Sequence, residues 1–197
     1  ASVETLLHAF LPHKFVDHSH SNAILSLIDQ PDPIKICKKV FGEEMGIVPY
    51  IMPGFQLAKK AAEVFEQNPN VKGLILLNHG IFTFADDAKE SYELMIKYIS
   101  LAEKELKQKS KPIRIKKYQE KKITASLVAN LIRQQISIKP NAQIDRKVVY
   151  FHKPTFLDEF FSHPKLKQFT TQGPVTPDHV IRIKSKPLVI DLSSEKP

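Results

Sequence analysis

Two histidines flank one serine in "FVDHSH", residues 15 to 20. On a β-strand, residues i and i+2 share a face, so a strand here aims the imidazoles of His18 and His20 at one point. Such a pair suits a divalent metal ion; it also fits polar punctuation between a strand and the helix behind it. Other residues bear on the choice. His79, in "NHG", ends the most apolar run in the chain, and Gly80 after it permits a tight turn that can face the ring into a cleft. Glu4, one helical turn before His8, can bring a carboxylate toward the same place. Three imidazoles and one oxygen form a donor set suited to Zn²⁺ or a similar ion. Read singly, Glu4 also fits an acid favoured by a helix N-terminus, and His79 a hydrogen-bonded strand-end histidine.

The elements that must position these groups are legible as pattern. "SVETLLHAFL" places Val3, Leu6, Leu7 and Phe10 at helical spacing with Ser2 as a candidate N-cap. Pro12 ends that helix; "KFVDHSH" then predicts a strand and "SNAILSLI" a helix. "PIKICKKVF" predicts a further helix, and "GIVPYIMPG" a strand leaving through a Pro-Gly turn. In "FQLAKKAAEVFEQ", Phe55, Ala58, Ala62 and Phe65 recur at helical intervals. Two β-rich runs, 74 to 77 and 81 to 84, hinge at Asn78, His79 and Gly80. Asp86 and Asp87 then cap a long helix with Tyr92, Met95, Ile99 and Ala102 on one face. This alternation makes the first 110 residues an α/β unit. Farther on, "ITASLVANLIRQQIS" predicts an amphipathic helix, "RKVVYFH" a strand, "KPTFLDEFFSHPKLKQF" a helix, and "GPVTPDHVIRIKSKPLVID" an extended tail.

Composition narrows the classes. At 197 residues the chain can bury one substantial core, and no apolar run reaches the roughly 18 residues a membrane span needs. The absence of a signal-like opening and the single Cys37 fit a reducing cytoplasm. The net charge of +8 raises nucleic acid as a partner. Much of the excess lies in "KELKQKSKPIRIKKYQEKK", which carries one aromatic and matches no nucleic-acid motif. It reads as a solvated helix end and linker, so neither nucleic acid nor membrane is expected as a partner. Competing H-x-H enzymes fail on spacing: the metallo-β-lactamase pattern wants Asp where Asn22 stands, and an amidohydrolase barrel wants about 250 residues.

In this order, "SVETLLHAFLP", "DHSHSNAIL", "VPYIMPG" and "LILLNHGIFTF" with "DAKESYELM" resemble the class II aldolase/adducin family. The later "GPVTPDHVIRIKSKPLVI" resembles one branch, the bifunctional rhamnulose-1-phosphate aldolase/alcohol dehydrogenases, where an aldolase domain precedes a short-chain dehydrogenase domain. The chain opens at Ala1 and shows no Gly-rich dinucleotide fingerprint. The resemblance therefore implies an N-terminally truncated aldolase portion with the dehydrogenase half absent. It implies a three-layer α/β domain over residues 1–110, a basic linker over 111–122 and an α+β C-terminal extension over 123–197.

For the site, the resemblance implies His18, His20 and His79 as metal ligands. Glu4 is implied as a carboxylate that contacts the metal or takes the substrate proton. Tyr50 matches a tyrosine that, in some members, reaches a neighbouring subunit's site and protonates the aldehyde oxygen; beside Pro49 it also fits simple packing. Ser2 matches a serine near the substrate phosphate. His8 fits a partner of the ligands or a core polar group, and His179 a cap or a substrate neighbour. His13, His152 and His163 have no companions in sequence.

The implied reaction is cleavage of a ketose 1-phosphate, rhamnulose 1-phosphate, to dihydroxyacetone phosphate and lactaldehyde through an enediolate, with Zn²⁺ as cofactor. No Schiff-base lysine is needed. A homo-oligomer with sites at subunit boundaries is expected. Two alternatives stay open: a sugar-phosphate 4-epimerase using the same metal chemistry, and a non-catalytic adducin-like interaction module, expected to lose metal ligands.

Overall fold

The computed structural model describes residues 4–110, 125–137, 145–150, 160–161 and 163–189. Ser2, Val3, His152 and the basic segment 111–122 lie outside the described residues. The chain divides into two units, Ala1–Lys111 with Gly173–Leu188, and Pro112–Gln172 with Val189–Pro197.

The first unit is built on a four-stranded sheet of order β1-β4-β3-β2, with β1 Phe15–Ser19, β2 Met45–Val48, β3 Gly73–Leu76 and β4 Gly80–Ala85. β4 runs antiparallel to both β1 and β3, whereas β2 and β3 are parallel. Parallel neighbours need a crossover, and helix α4 (Phe55–Gln67) supplies it. β3 is buried throughout, as its unbroken "GLIL" demands of a strand covered on both faces.

Period-2 alternation sorts the side chains into two cores. Ile75, Leu77 and Ile81 join α2 (Asn22–Ile28), α3 (Pro33–Phe41) and α5 (Ala88–Lys109) on one face. Leu74, Leu76, Phe82 and Phe84 join α1 (Thr5–Phe10) and α4 on the other. Helices on both sides of one sheet give the expected three-layer α/β architecture.

Several predicted faces shift. In α4 the buried stripe is Leu57, Ala58, Ala61 and Phe65, while Phe55 is exposed; stepping by three and four from Leu57 keeps the stripe over the sheet, and Phe55 falls off it. In α5 the stripe is Ser91, Met95, Tyr98, Ala102 and Glu105, leaving Tyr92 in solvent. Asp87 is the cap of α5, accepting the Glu90 amide at 3.0 Å, whereas Asp86 accepts the Lys14 amide at 3.2 Å. In α1, Leu7 is buried and Leu6 and Phe10 are exposed.

The second unit carries α6 (Ala125–Ile136) and α7 (Leu166–Thr170). The strand predicted over 146–152 is absent at 145–150, where Val148 is 96% exposed. No described segment pairs with it, and β-branched composition does not hold a strand without a ladder partner. The predicted extended tail instead contains α8 (Pro177–Arg182), in the first unit. Thr176 caps it, accepting the His179 amide, and Pro177 occupies the first turn, where its missing N–H is harmless. Among the described residues no helix is long and apolar enough to cross a membrane.

Candidate metal centre

Even-numbered residues of β1 point toward the face that carries α1 and α4. Val16 packs into that core, and His18 stacks on its ladder partner Phe82 at a ring-centroid distance of 4.0 Å. His20 lies one residue past the strand end and keeps the same side, its centroid 4.6 Å from that of His18.

His79 reaches the site by a different route. β3 and β4 join through a turn closed by the His79 amide on the Leu76 carbonyl at 3.1 Å. Asn78 adopts φ 57° there, a left-handed conformation that asparagine tolerates better than most residues. Its side-chain amide donates to Asp29 Oδ1 at 2.9 Å, tying the turn to the end of α2. Burial raises the Asp29 pKa, and this hydrogen bond works against the rise. His79 itself is 3% exposed.

Glu4 occupies the N-cap position of α1 but makes no side-chain cap. Its carboxylate turns to the histidines: Oε1 lies 3.2 Å from His79 Nε2, 3.5 Å from His18 Nε2 and 3.8 Å from His20 Nε2. One ligand atom from each of the four residues fits within a 4.8 Å span. Tetrahedral bonds of about 2.0–2.1 Å set donors about 3.3 Å apart, so the spacing matches a four-coordinate shell.

Hydrogen bonding behind the rings makes the same case. His18 Nδ1–H donates to the Ile81 carbonyl oxygen at 2.9 Å, and His20 Nδ1–H donates to Asp178 Oδ2 at 2.8 Å. A carbonyl and a carboxylate only accept, so each neutral ring must carry its lone pair on Nε2. Those two nitrogens face each other at 2.9 Å. Two opposed lone pairs at that distance require a shared cation or proton. Four donors with this spacing, two of them imidazoles whose Nε2 lone pairs are turned inward, fit a divalent metal ion.

Electrostatics keeps the donors ready. Burial drives the His18 pKa down to about 4 against the opposing pull of the Ile81 carbonyl and Glu4. His79 is also lowered, first by burial and then by His20. Burial works to raise Glu4, but the fields of the three histidines and the His79 hydrogen bond outweigh it, and its pKa is lowered. Near neutral pH, His18 and His79 are therefore unprotonated and Glu4 ionised, as coordination demands.

The other candidates lie apart from this cluster. Tyr50 is 55% exposed on the loop following β2. His8 sets its ring edge against Phe82 at 5.3 Å. His13 stacks on Phe84 at 4.5 Å, His163 Nδ1 accepts the Lys165 amide at 3.0 Å, and His179 contacts its own cap, Thr176. Asp178 is the contributor that sequence spacing did not reveal, because it stands 158 residues from its partner. "TPDH" in the tail is a capping signature that marks the helix carrying it.

Residues 1–106 match the Class II Aldolase and Adducin N-terminal domain, and residues 123–197 match the second domain of class II aldolases. The chain belongs to the class II aldolase/adducin family. It is 30% identical over 203 residues to YuxG of Bacillus subtilis (strain 168), described as an uncharacterized oxidoreductase. That alignment takes in 98% of this chain and 29% of YuxG, so the chain spans under a third of that relative's length. A solved N-terminal class II aldolase domain of a conserved protein from Thermoplasma acidophilum shares 45% identity over 53% of this chain and 48% of its own, with a TM-score of 0.49. An aldolase II superfamily protein from Pseudomonas syringae is 13% identical over 71% of this chain and 57% of its own, with a TM-score of 0.46.

Proposed function

We propose that this chain is the aldolase portion of a metal-dependent lyase that cleaves rhamnulose 1-phosphate to dihydroxyacetone phosphate and lactaldehyde. The observation that carries the reading is the placement of Glu4 Oε1 between 3.2 and 3.8 Å from three inward-facing imidazole nitrogens. A metal held there, Zn²⁺ in this proposal, supplies Lewis-acid stabilisation of the negative charge left on the ketose fragment, an effect worth several kcal/mol. Three neutral imidazoles leave most of the ion's charge available.

Cleavage between C3 and C4 removes the C4 hydroxyl proton, leaves the bonding electron pair on C3 and returns a proton to C3. In this reading Glu4 yields its position on the metal to the substrate and delivers that proton, removing it in the condensation direction. Its side chain is 23% exposed while His79 beneath it is 4% exposed, so the carboxylate faces the open side of the site. Tyr50 exchanges the C4 hydroxyl proton from across a subunit boundary. The exposed run of Tyr50, Met52 and Phe55 supports a homo-oligomer that covers it. Ser2 helps to hold the phosphate. The oxidoreductase description of YuxG, of which this chain matches a minor part, supports the bifunctional branch with a dehydrogenase domain elsewhere in the protein.

Retention of all four donors favours this reading over a non-catalytic adducin-like module. Incubating the Zn²⁺-loaded chain with rhamnulose 1-phosphate tests it. Release of lactaldehyde, lost in Glu4→Gln and in His79→Ala, is expected. An unbroken, epimerised sugar would replace the lyase by a 4-epimerase, and less than a tenth of an equivalent of metal per purified chain would sink both.

A further inference from the structure

The two rings of the H-x-H pair are held in unlike ways. His18 lies inside β1 and is fixed by a backbone carbonyl on the neighbouring strand, with Phe82 stacked beneath it. His20 lies beyond the strand, and its Nδ1 is held by a side chain, Asp178, on the short helix α8. The peptide ladder that aligns His18 therefore does not reach His20.

α8 is itself placed with care. Thr176, 9% exposed, caps it and contacts His179. Gly173, at φ +90°, opens the segment at a point where an added Cβ would lie 3.5 Å from the Ser185 carbonyl oxygen. The stretch from Gly173 to Leu188 thus closes on itself and groups with the sheet-bearing unit, apart from the chain around it. Asp178 is the member of that stretch joined to the four-donor cluster.

We propose that Asp178 is a positioning residue for the metal centre: its carboxylate fixes the Nδ1–H tautomer and the ring plane of His20, and the Gly173–Leu188 segment is thereby part of the metal-binding unit. This rests on the metal-centre reading above. A carboxylate behind a ligating imidazole orients the ring and raises its basicity, and loss of such a partner commonly weakens metal affinity 10- to 100-fold. The proposal extends the site beyond the sheet, to a segment far from the N-terminal domain match.

The test measures Co²⁺ affinity by chelator competition and the His20 tautomer by long-range proton–nitrogen NMR, on the metal-free full chain. The expected result is an Nδ1–H tautomer for His20 in the unmodified protein, lost in Asp178→Ala. Co²⁺ affinity should fall about 10- to 100-fold in Asp178→Ala, and less in Asp178→Asn, which keeps an uncharged acceptor. The Co²⁺ absorption bands should change in Asp178→Ala while far-ultraviolet circular dichroism does not. An Nε2–H tautomer in the unmodified protein overturns the proposal even if every variant misfolds. So does an Asp178→Ala chain that binds Co²⁺ within twofold of the unmodified protein. If the unmodified chain binds no Co²⁺ at all, the metal reading itself fails, a result distinct from equal binding by both proteins.

Discussion

Gly80 stands where β4 begins, directly behind the histidines. A Cβ built there would lie 2.5 Å from the Ser19 carbonyl oxygen, 3.1 Å from His18 Cε1 and 3.1 Å from His20 Cδ2. Ordinary carbon–oxygen contacts start at about 3.3 Å, so Gly80→Ala must absorb about 0.8 Å against β1 backbone, which the β1–β4 ladder resists. Overpacking of this kind costs about 1–3 kcal/mol. At roughly 4 °C per kcal/mol for a unit of this size, the melting temperature should drop by about 4–12 °C.

The same displacement pushes on two ligand rings. Coordination tolerates errors of only about 0.2 Å in bond length, so Co²⁺ affinity should fall at least tenfold. Gly42→Ala separates the two effects. Gly42 sits at φ 63° and ψ −144°, a region essentially confined to glycine, with open space around its Cβ position. That variant should lose about 1–3 kcal/mol of stability and keep its metal affinity. Thermal melts and chelator competition on both variants decide the matter. A Gly80→Ala chain that melts and binds Co²⁺ like the unmodified protein would refute the packing argument and the close approach of β1 to β4 on which the site depends.

Acid should destabilise the metal-free chain. His18 falls from the ordinary 6.5 to about 4 on folding, because burial disfavours its charged form. The unfolded state then binds more protons between those values, so this contribution is complete above pH 6.5 and lost as pH falls toward 4. It is on the order of 3 kcal/mol, and the lowered Glu4 and His79 act in the same direction. Urea titrations from pH 7.5 to 4.5 should show the decline, and saturating metal should shift it to lower pH. Ser91, fully buried in α5, donates to Asp17 Oδ2 at 2.6 Å; Ser91→Ala strands that carboxylate and should cost about 1–3 kcal/mol in chemical denaturation. The Cys37 thiol, 1% exposed and pushed up to about 11 by burial, should resist thiol reagents at pH 8 until the chain is unfolded.

What the sequence revealed was periodicity and local chemistry. The strand-turn-strand around Asn78 and the helix ranges of α3 and α4 follow from runs of like residues and their punctuation, and the H-x-H pair follows from the two-residue repeat of a strand. Faces within helices were harder. Tyr92 and Tyr98 differ by under two turns, and only the sheet beneath α5 decides that Tyr98 is buried and bonded to Glu44 at 3.2 Å. The strand expected from "RKVVYFH" was local propensity that no ladder among the described residues supports. Asp178 escaped because chemistry shared across 158 positions leaves no spacing to count.

The helix bearing Glu4 is six residues long, too short to persist by its own backbone bonds. Its anchorage is Leu7, with Leu11 just past its end, against the core, and Glu4 against the histidines. A cation gripped by Glu4 and His79 would close a loop of some 75 residues, acting as a reversible clasp between the chain's opening turn and its central hairpin. Chelation would then do more than silence chemistry. It would let that turn fray, so that α1 exchanges its amide hydrogens and meets a protease sooner than it does with the cation bound.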